Sequence, residues 1–216
     1  INGILTNINK DIDYEYDAIS NYFRFTYIPT EKTVYADVTA LEPGVCLEFN
    51  HEMNLINAYG LKEQLLSNSF VRSQDLFKLL FNKVEGGLIG ETEVGVLLSG
   101  GIDSGIVASI SSKLLKRTEL HAFTIASNDE HYNEAIRAGN MANFLELNHD
   151  VINFHHEFDA DEFYDVITRF EQPYADSSFV VSWTAFRYIK RKYPKIKVVL
   201  TGDGGDEIWG GYNKHK

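Results

Sequence analysis

A single cysteine, Cys46, stands in 216 residues. One thiol excludes an internal disulfide framework and a cysteine-rich zinc site, and it suits a reducing compartment. Surplus positive charge is also missing, since the formal charge is −11, whereas a nucleic-acid or anionic-membrane surface needs basic patches. No apolar run approaches the length that crosses a bilayer, and no basic stretch followed by an apolar one marks a leader. A soluble, cytoplasmic protein with no nucleic-acid or membrane partner is expected. Internal repeats and low-complexity tracts are lacking as well. The chain opens on Ile1 rather than methionine and closes at Lys216, a few residues past a glycine-rich motif, so both ends are expected to be cut from something longer.

An apolar share of 44% is enough for the core of one large domain or two small ones. The most informative stretch is Val94-Gly95-Val96-Leu97-Leu98 running into Ser99-Gly100-Gly101-Ile102-Asp103-Ser104. A short apolar run, a Gly-Gly turn and then the period Ile102, Ile106, Val107, Ile110, Leu114 is the pattern of strand, tight loop and helix. The first N–H groups of such a helix lack intrahelical partners and carry the positive end of its dipole, so an anion fits there. Glycines at 100 and 101 let backbone approach phosphate oxygens, and Ser99 and Ser104 add hydroxyls. No lysine follows, which separates the loop from the Walker A pattern. Asp103 beside a phosphate makes sense if Mg²⁺ lies between them. The plain alternative is an ordinary turn with Asp103 as N-cap.

A second glycine-rich acidic turn, Thr201-Gly202-Asp203-Gly204-Gly205-Asp206-Glu207, follows the apolar run Val198-Val199-Leu200 and precedes Ile208-Trp209-Gly210-Gly211-Tyr212. In a parallel sheet the C-terminal ends of strands line one edge, so two such loops can face one ligand. Carboxylates at 103, 203, 206 and 207 are costly to cluster without compensation, and Mg²⁺ on a polyphosphate compensates them. A calcium loop would need the spaced Asp-x-Asp-x-Asp-Gly ladder, which is absent.

Elsewhere the pattern predicts a short helix over Tyr14–Phe25, a strand at Thr33–Val38 and another at Val45–Phe49, with Pro43-Gly44 as the hairpin turn between them. Cys46 on the second strand is read as a core or interface thiol. Helical spacing runs from Ser67 to Val84 and Gly86-Gly87 is expected to break it. Strands follow at Leu120–Ala126, Asp150–Phe154 and up to Leu200, with helices from Asn133 to Phe144, Phe158 to Phe170 and Ser177 to Tyr193. This alternation predicts an α/β fold, a parallel sheet with helices on both faces. The neighbours His155 and His156 do not suit one metal, and His121, His131 and His149 have no paired helical spacing, so all are read as ordinary residues.

VGVLLSGGIDS (94–104) and TGDGGDEIWGGY (201–212) resemble the two signature loops of the glutamine-dependent asparagine synthetases. So do Leu88-Ile89-Gly90, Leu120-His121-Ala122-Phe123-Thr124, Tyr132-Asn133-Glu134-Ala135, Glu171-Gln172-Pro173 and Asp176-Ser177-Ser178. Tyr27-Ile28-Pro29, Thr33-Val34-Tyr35 and Leu41-Glu42-Pro43-Gly44 resemble the tail of that family's glutaminase domain, of the N-terminal nucleophile type. The resemblance implies such a β-rich tail over 1–60, a helical linker over 61–87, and over 88–216 the first part of a synthetase domain with the adenine nucleotide alpha hydrolase-like pyrophosphate-loop fold. It implies ATP and Mg²⁺ as cofactors, adenylation of a small carboxylate, aspartate first, and amide formation with glutamine-derived ammonia. By position, Ser99, Gly100, Gly101, Asp103 and Ser104 would hold pyrophosphate, Leu97, Ile125 and Gly202 the adenosine, and Asp103 and Asp206 the Mg²⁺. Asp203 and Tyr212 would be catalytic, although Asp203 stands where the family has glutamate, which withdraws the carboxylate by about one methylene. The family's cysteine nucleophile would precede Ile1 and an adenylation-steadying lysine would follow Lys216, a role neither Cys46 nor Lys214 can take, so the chain alone is expected not to complete amide synthesis. A homodimer of the full-length protein is left open. Other acceptors, including sugar acids, another pyrophosphate-loop synthetase or thiolase, and a non-catalytic nucleotide-binding module are the alternatives.

Overall fold

The computed structural model describes residues 13–29, 31–60, 73–90, 93–116, 119–126, 134–153, 159–170 and 172–212. In chain order its elements are α1 (Tyr16–Phe25), β1 (Val45–Phe49), β2 (Leu55–Gly60), α2 (Ser73–Gly87), β3 (Val94–Leu97), α3 (Ile102–Leu114), β4 (Leu120–Ala126), α4 (Ala135–Phe144), β5 (Asn148–Asn153), α5 (Ala160–Ile167), α6 (Ser178–Lys192), β6 (Val198–Leu200) and α7 (Gly205–Trp209). Two compact units divide them, Ile1–Phe70 with Asp159–Ser177, and Val71–Phe158 with Ser178–Lys216. His131, His155 and His156, the start of the expected helix at Asn133, and Lys214 lie outside the described residues.

In the first unit the expected hairpin is displaced. Thr33–Val38 makes no strand beyond one bridge between Tyr14 and Tyr35. The Thr33 hydroxyl contacts the carbonyls of Val38 at 2.6 Å and Tyr35 at 3.0 Å and accepts the Tyr35 N–H at 3.1 Å, so a local turn takes the groups a ladder would need. β1 pairs instead with β2, which the sequence reading missed. Asn50 closes that hairpin, its Oδ1 accepting from Glu52 N at 3.0 Å and Asn54 N at 2.8 Å, while Met53 takes a positive φ of 62°. Cys46, opposite Tyr59, is exposed and not a core thiol. α5 begins at Asp159, whose carboxylate accepts the Asp161 N–H, the expected use of an aspartate at an N-cap.

The second unit is the α/β layer. β5, β4, β3 and β6 lie side by side in that order, all parallel. Alternation along each strand makes two cores. Val94, Val96, Leu98, Leu120 and Ala122 face Ala108 of α3 and Ala138 and Ala142 of α4, while Phe123 and Ile152 face Ala185 and Ile189 of α6. Full burial of a Val, Leu or Phe side chain contributes roughly 1.5–3 kcal/mol, so these positions hold the layer together. α2 runs through Gly86 and ends at Gly87, where a Cβ would fall 3.2 Å from Leu200 of β6.

α3 buries only part of the apolar period its sequence shows, Ile110 fully and Val107 and Leu114 in part. Ile102 is 80% exposed and Ile106 38%, whereas Ser104, Gly105, Ala108, Ile110 and Ser111 are buried. Small side chains let the helix lie close to its neighbours: at Gly105 an added Cβ would stand 3.0 Å from the Met141 Cε of α4.

On the α6 side, Asp150 of β5 accepts hydrogen bonds from Lys192 Nζ at 3.0 Å, the Tyr188 hydroxyl at 3.3 Å and the Tyr193 hydroxyl. Burial raises the Asp150 carboxyl pKa, but the Tyr193 and Lys192 hydrogen bonds, the Lys192 charge and Tyr188 outweigh it and hold the group below its ordinary 3.8. A depressed folded pKa means the stabilisation is fully present above pH 3.8 and is lost as the pH falls through the folded value. Asp150→Asn is therefore expected to lower stability by about 1 kcal/mol at neutral pH, a small figure because the ion pair is partly exposed. Urea midpoints measured against pH should lose part of their acid limb. An acid limb identical to that of the wild type would show that another group carries it.

Candidate functional site

The strand order reverses beside β3. From β3 the chain passes through α3 to β4 and through α4 to β5, then returns by α6 to β6 on the other side of β3. Adjacent parallel strands whose connections leave in opposite directions open a crevice at their C-terminal ends, the usual ligand position in such sheets. β3 and β6 are those strands, and the two glycine-rich loops begin at their ends.

The first loop is shaped from within. Ser104, 6% exposed, places its hydroxyl 3.2 Å from Ser99 N, whose N–H it accepts, and 2.9 Å from Ser99 Oγ, which accepts the Gly101 N–H at 3.2 Å. Ser104 thus lies beneath the loop and holds its form. Gly101, not Asp103, is the N-cap of α3, and no side chain caps it, which removes the ordinary reading of Asp103 and leaves first-turn N–H groups without a side-chain acceptor. Gly100 has φ +75°, and a Cβ there would lie 2.7 Å from Ala138 N and from Arg137 Cβ at the start of α4. Only glycine allows both that dihedral and that approach.

Asp103 is the point where the loops meet. A Cβ on Gly202 would fall 2.6 Å from Ser104 N and 3.1 Å from Asp103 Cβ, and one on Gly205 would fall 2.7 and 2.8 Å from the two Asp103 carboxylate oxygens. The second loop is therefore a glycine seat for the Asp103 side chain. Leu97 and Ile125, half-buried near the ends of adjacent strands, pack into the core on the α6 side with Phe123. Beyond the seat, Asp203 is exposed, its N–H donating to Thr201 Oγ1 at 3.4 Å, and the exposed Asp206 sets its carboxylate against Gly211. Tyr212 donates its hydroxyl to Glu207 Oε1 at 2.7 Å. That hydrogen bond first, then partial desolvation, then the charges of Glu207, Asp206 and Asp203 push the Tyr212 phenol up to about 12.

Among the described residues no group of three or more His, Cys, Asp or Glu side chains is arranged to hold a metal ion. Asp103 and Asp206 offer one carboxylate each, from two different loops. That donor set fits Mg²⁺ arriving with a polyphosphate, since this ion takes one or two carboxylates and completes its octahedron with phosphate oxygens and water.

The profile of the asparagine synthase family matches residues 75–216. The chain belongs to that family. With 28% identity over its whole length it aligns with 42% of a Methanocaldococcus jannaschii protein assigned provisionally as a glutamine-hydrolyzing asparagine synthetase. It is 29% identical over 222 residues to asparagine synthetase [glutamine-hydrolyzing] 2 of Bacillus subtilis, an alignment covering 94% of this chain and 28% of the relative. The chain thus spans less than half the length of these relatives. A looser likeness, TM-score 0.43 at 18% identity over 66% of this chain and 62% of the other, links it to an NH3-dependent NAD synthetase from Campylobacter jejuni.

In this asparagine synthase family member two residues near the first loop escaped the sequence reading. Thr124, 2% exposed, donates its hydroxyl to the Leu98 carbonyl at 2.6 Å and lies 2.7 Å from His149 Nε2. Burial pushes the His149 pKa below its ordinary 6.5, against the raising effect of the neighbouring Asp150 charge. The signal was strand register. β5 begins at Asn148, and the pairings Ala122↔His149 and Thr124↔Val151 put His149, Val151 and Thr124 on one face of the sheet.

Proposed function

We propose that the second unit is the nucleotide-binding part of an ATP-dependent amidotransferase, which adenylates a carboxylate, aspartate first, and joins it to ammonia derived from glutamine. The observation that carries this reading is the meeting of two glycine loops at the switch between β3 and β6, with Asp103 seated on Gly202 and Gly205. Membership of the asparagine synthase family and the activity named for its relatives support the same reaction.

Mg-ATP enters as substrate and supplies a leaving group that an unactivated carboxylate lacks. The amides of Gly100, Ile102 and Asp103 and the dipole of α3 would hold the pyrophosphate portion as negative charge develops on it. Asp103 and Asp206 would turn their carboxylates to the Mg²⁺, and Leu97, Ile125 and the Gly202 backbone would border the adenosine. Tyr212 gives its one proton to Glu207, so towards a substrate near Asp203 its oxygen would accept a hydrogen bond, as from an incoming ammonia.

Exchange of radiolabelled pyrophosphate into ATP by the full-length protein tests this, run with aspartate, glutamate and sugar acids in turn. Exchange that depends on one carboxylate is expected, and the acid that supports it names the acceptor. A sugar acid in that role would replace aspartate in the reading. ATP binding without exchange for any acid would instead mark a non-catalytic nucleotide-binding module.

A further inference from the structure

We propose that His149 is a positioning residue for the first glycine loop, acting through Thr124 on the peptide that joins Leu98 to Ser99. This rests on the reading of that loop as a phosphate cradle. A threonine hydroxyl has one proton, and Thr124 gives it to the Leu98 carbonyl at 2.6 Å. Its 2.7 Å contact with His149 must then be donated by the imidazole, so Nε2 carries the proton. A ring that burial keeps neutral is held in this one tautomer.

The Leu98 carbonyl and the Ser99 N–H belong to the same rigid peptide plane. Leu98 N makes the last rung to β4, donating to Phe123 O at 2.8 Å, and one residue later the chain turns into the loop. On the other side of that plane, Ser99 N donates to Ser104 Oγ at 3.2 Å, Ser104 Oγ lies 2.9 Å from Ser99 Oγ, and Gly101 N donates to Ser99 Oγ at 3.2 Å. A hydrogen-bonded chain thus runs from the His149 ring to the amide of Gly101. Hydrogen bonds in series polarise and orient one another. Thr124 is buried, so loss of the imidazole leaves its oxygen without a donor and weakens the polarised bond that fixes the Leu98 peptide plane.

His149→Leu is expected to weaken ATP binding about tenfold, the order of one aligned hydrogen bond. It should leave the KM for the carboxylate within about twofold if the effect stays at the phosphate loop. In ¹⁵N–¹H spectra the Ser99 and Gly101 amides should shift. Thr124→Val should reproduce both effects, and the double variant should add little to either single one. His149→Gln, which can donate from near the Nε2 position, should restore binding, whereas His149→Asn should not; this pair keeps the test open should His149→Leu fail to fold. A pin between β4 and β5 with no role in the loop would lower stability without moving ATP affinity or the Ser99 amide. That result, with wild-type ATP binding intact, overturns the proposal and leaves the nucleotide reading standing. If the wild type takes no ATP, the phosphate reading fails, and the Ser99 amide shift alone then upholds or overturns the coupling from His149.

Discussion

Gly100→Ala is expected to lose about 2–5 kcal/mol of stability and all measurable nucleotide binding. Two independent terms act in the same direction. A positive φ of 75° costs an L-residue with a Cβ on the order of 1–2 kcal/mol. The new methyl would also stand 2.7 Å from the backbone nitrogen of Ala138 and from Arg137 Cβ, and overpacking of this kind costs typically about 1–3 kcal/mol. Neither contact can give way cheaply, because one partner is backbone inside α4. Relief would come from lifting the loop off α4, which moves the amides that face the crevice. Urea unfolding reads the first effect and calorimetric titration with Mg-ATP the second. Two neighbouring glycines supply the controls. Gly101 has an ordinary φ of −79° and would bring a Cβ 3.2 Å from Ser99 Oγ, a side-chain atom that can shift, so Gly101→Ala should be much milder. Gly139, inside α4 with nothing within 4 Å of an added Cβ, should gain up to about 1 kcal/mol on replacement by alanine. A Gly100→Ala protein as stable as the Gly101→Ala one would mean that the loop does not need its wedge against α4.

Asp103→Asn is expected to reduce carboxylate-dependent pyrophosphate exchange by at least about 100-fold, with stability within about 1 kcal/mol of the wild type. Asparagine keeps the volume that sits on Gly202 and Gly205, so the two loops still fit together. What it removes is the negative charge that would hold Mg²⁺, and a cation placed at developing phosphate charge is worth about 2.7 kcal/mol or more in a site of this kind. Raising the Mg²⁺ concentration should recover part of the loss, because a weakened ligand set is filled by mass action. Exchange within tenfold of the wild type would remove Asp103 from the metal-binding role and leave it as packing between the loops. Asp103→Ala is the less informative variant, since it also empties the seat.

Both outcomes turn on contacts that the sequence did not announce, although it announced the residues. The strand, Gly-Gly turn and helix around Ser99–Ser104 were legible because every part of that unit is local: a buried run, a dihedral only glycine takes easily, and helix amides left open. The parallel α/β layer was legible for a similar reason, since β3, β4 and β6 are short apolar runs separated by helical stretches. Local chemistry also misled. Pro43-Gly44 has the composition of a hairpin turn, but Thr33–Val38 bonds to its own Thr33 hydroxyl, to Asp13 and Glu15 and to Gln172, and Asn50 closes the hairpin that forms. The apolar period of α3 marked a helix but not its buried face: Ile110 is buried while Ile102 and Ile106 are exposed, and close packing on α4 brings Gly105 and other small residues to that face.

The sequence by itself determined that this protein carries two glycine-rich acidic loops at strand ends, because backbone freedom and open helix amides are properties of a few consecutive residues. Only the tertiary structure decided that the loops share one crevice. Strand order is a non-local property, and nothing in residues 94–104 or 198–207 states that β6 returns to the free side of β3. The same is true of Asp103, whose neighbours Gly202 and Gly205 lie about a hundred positions further along the chain, and of His149, whose line to the loop through Thr124 exists only in the register of β4 with β5.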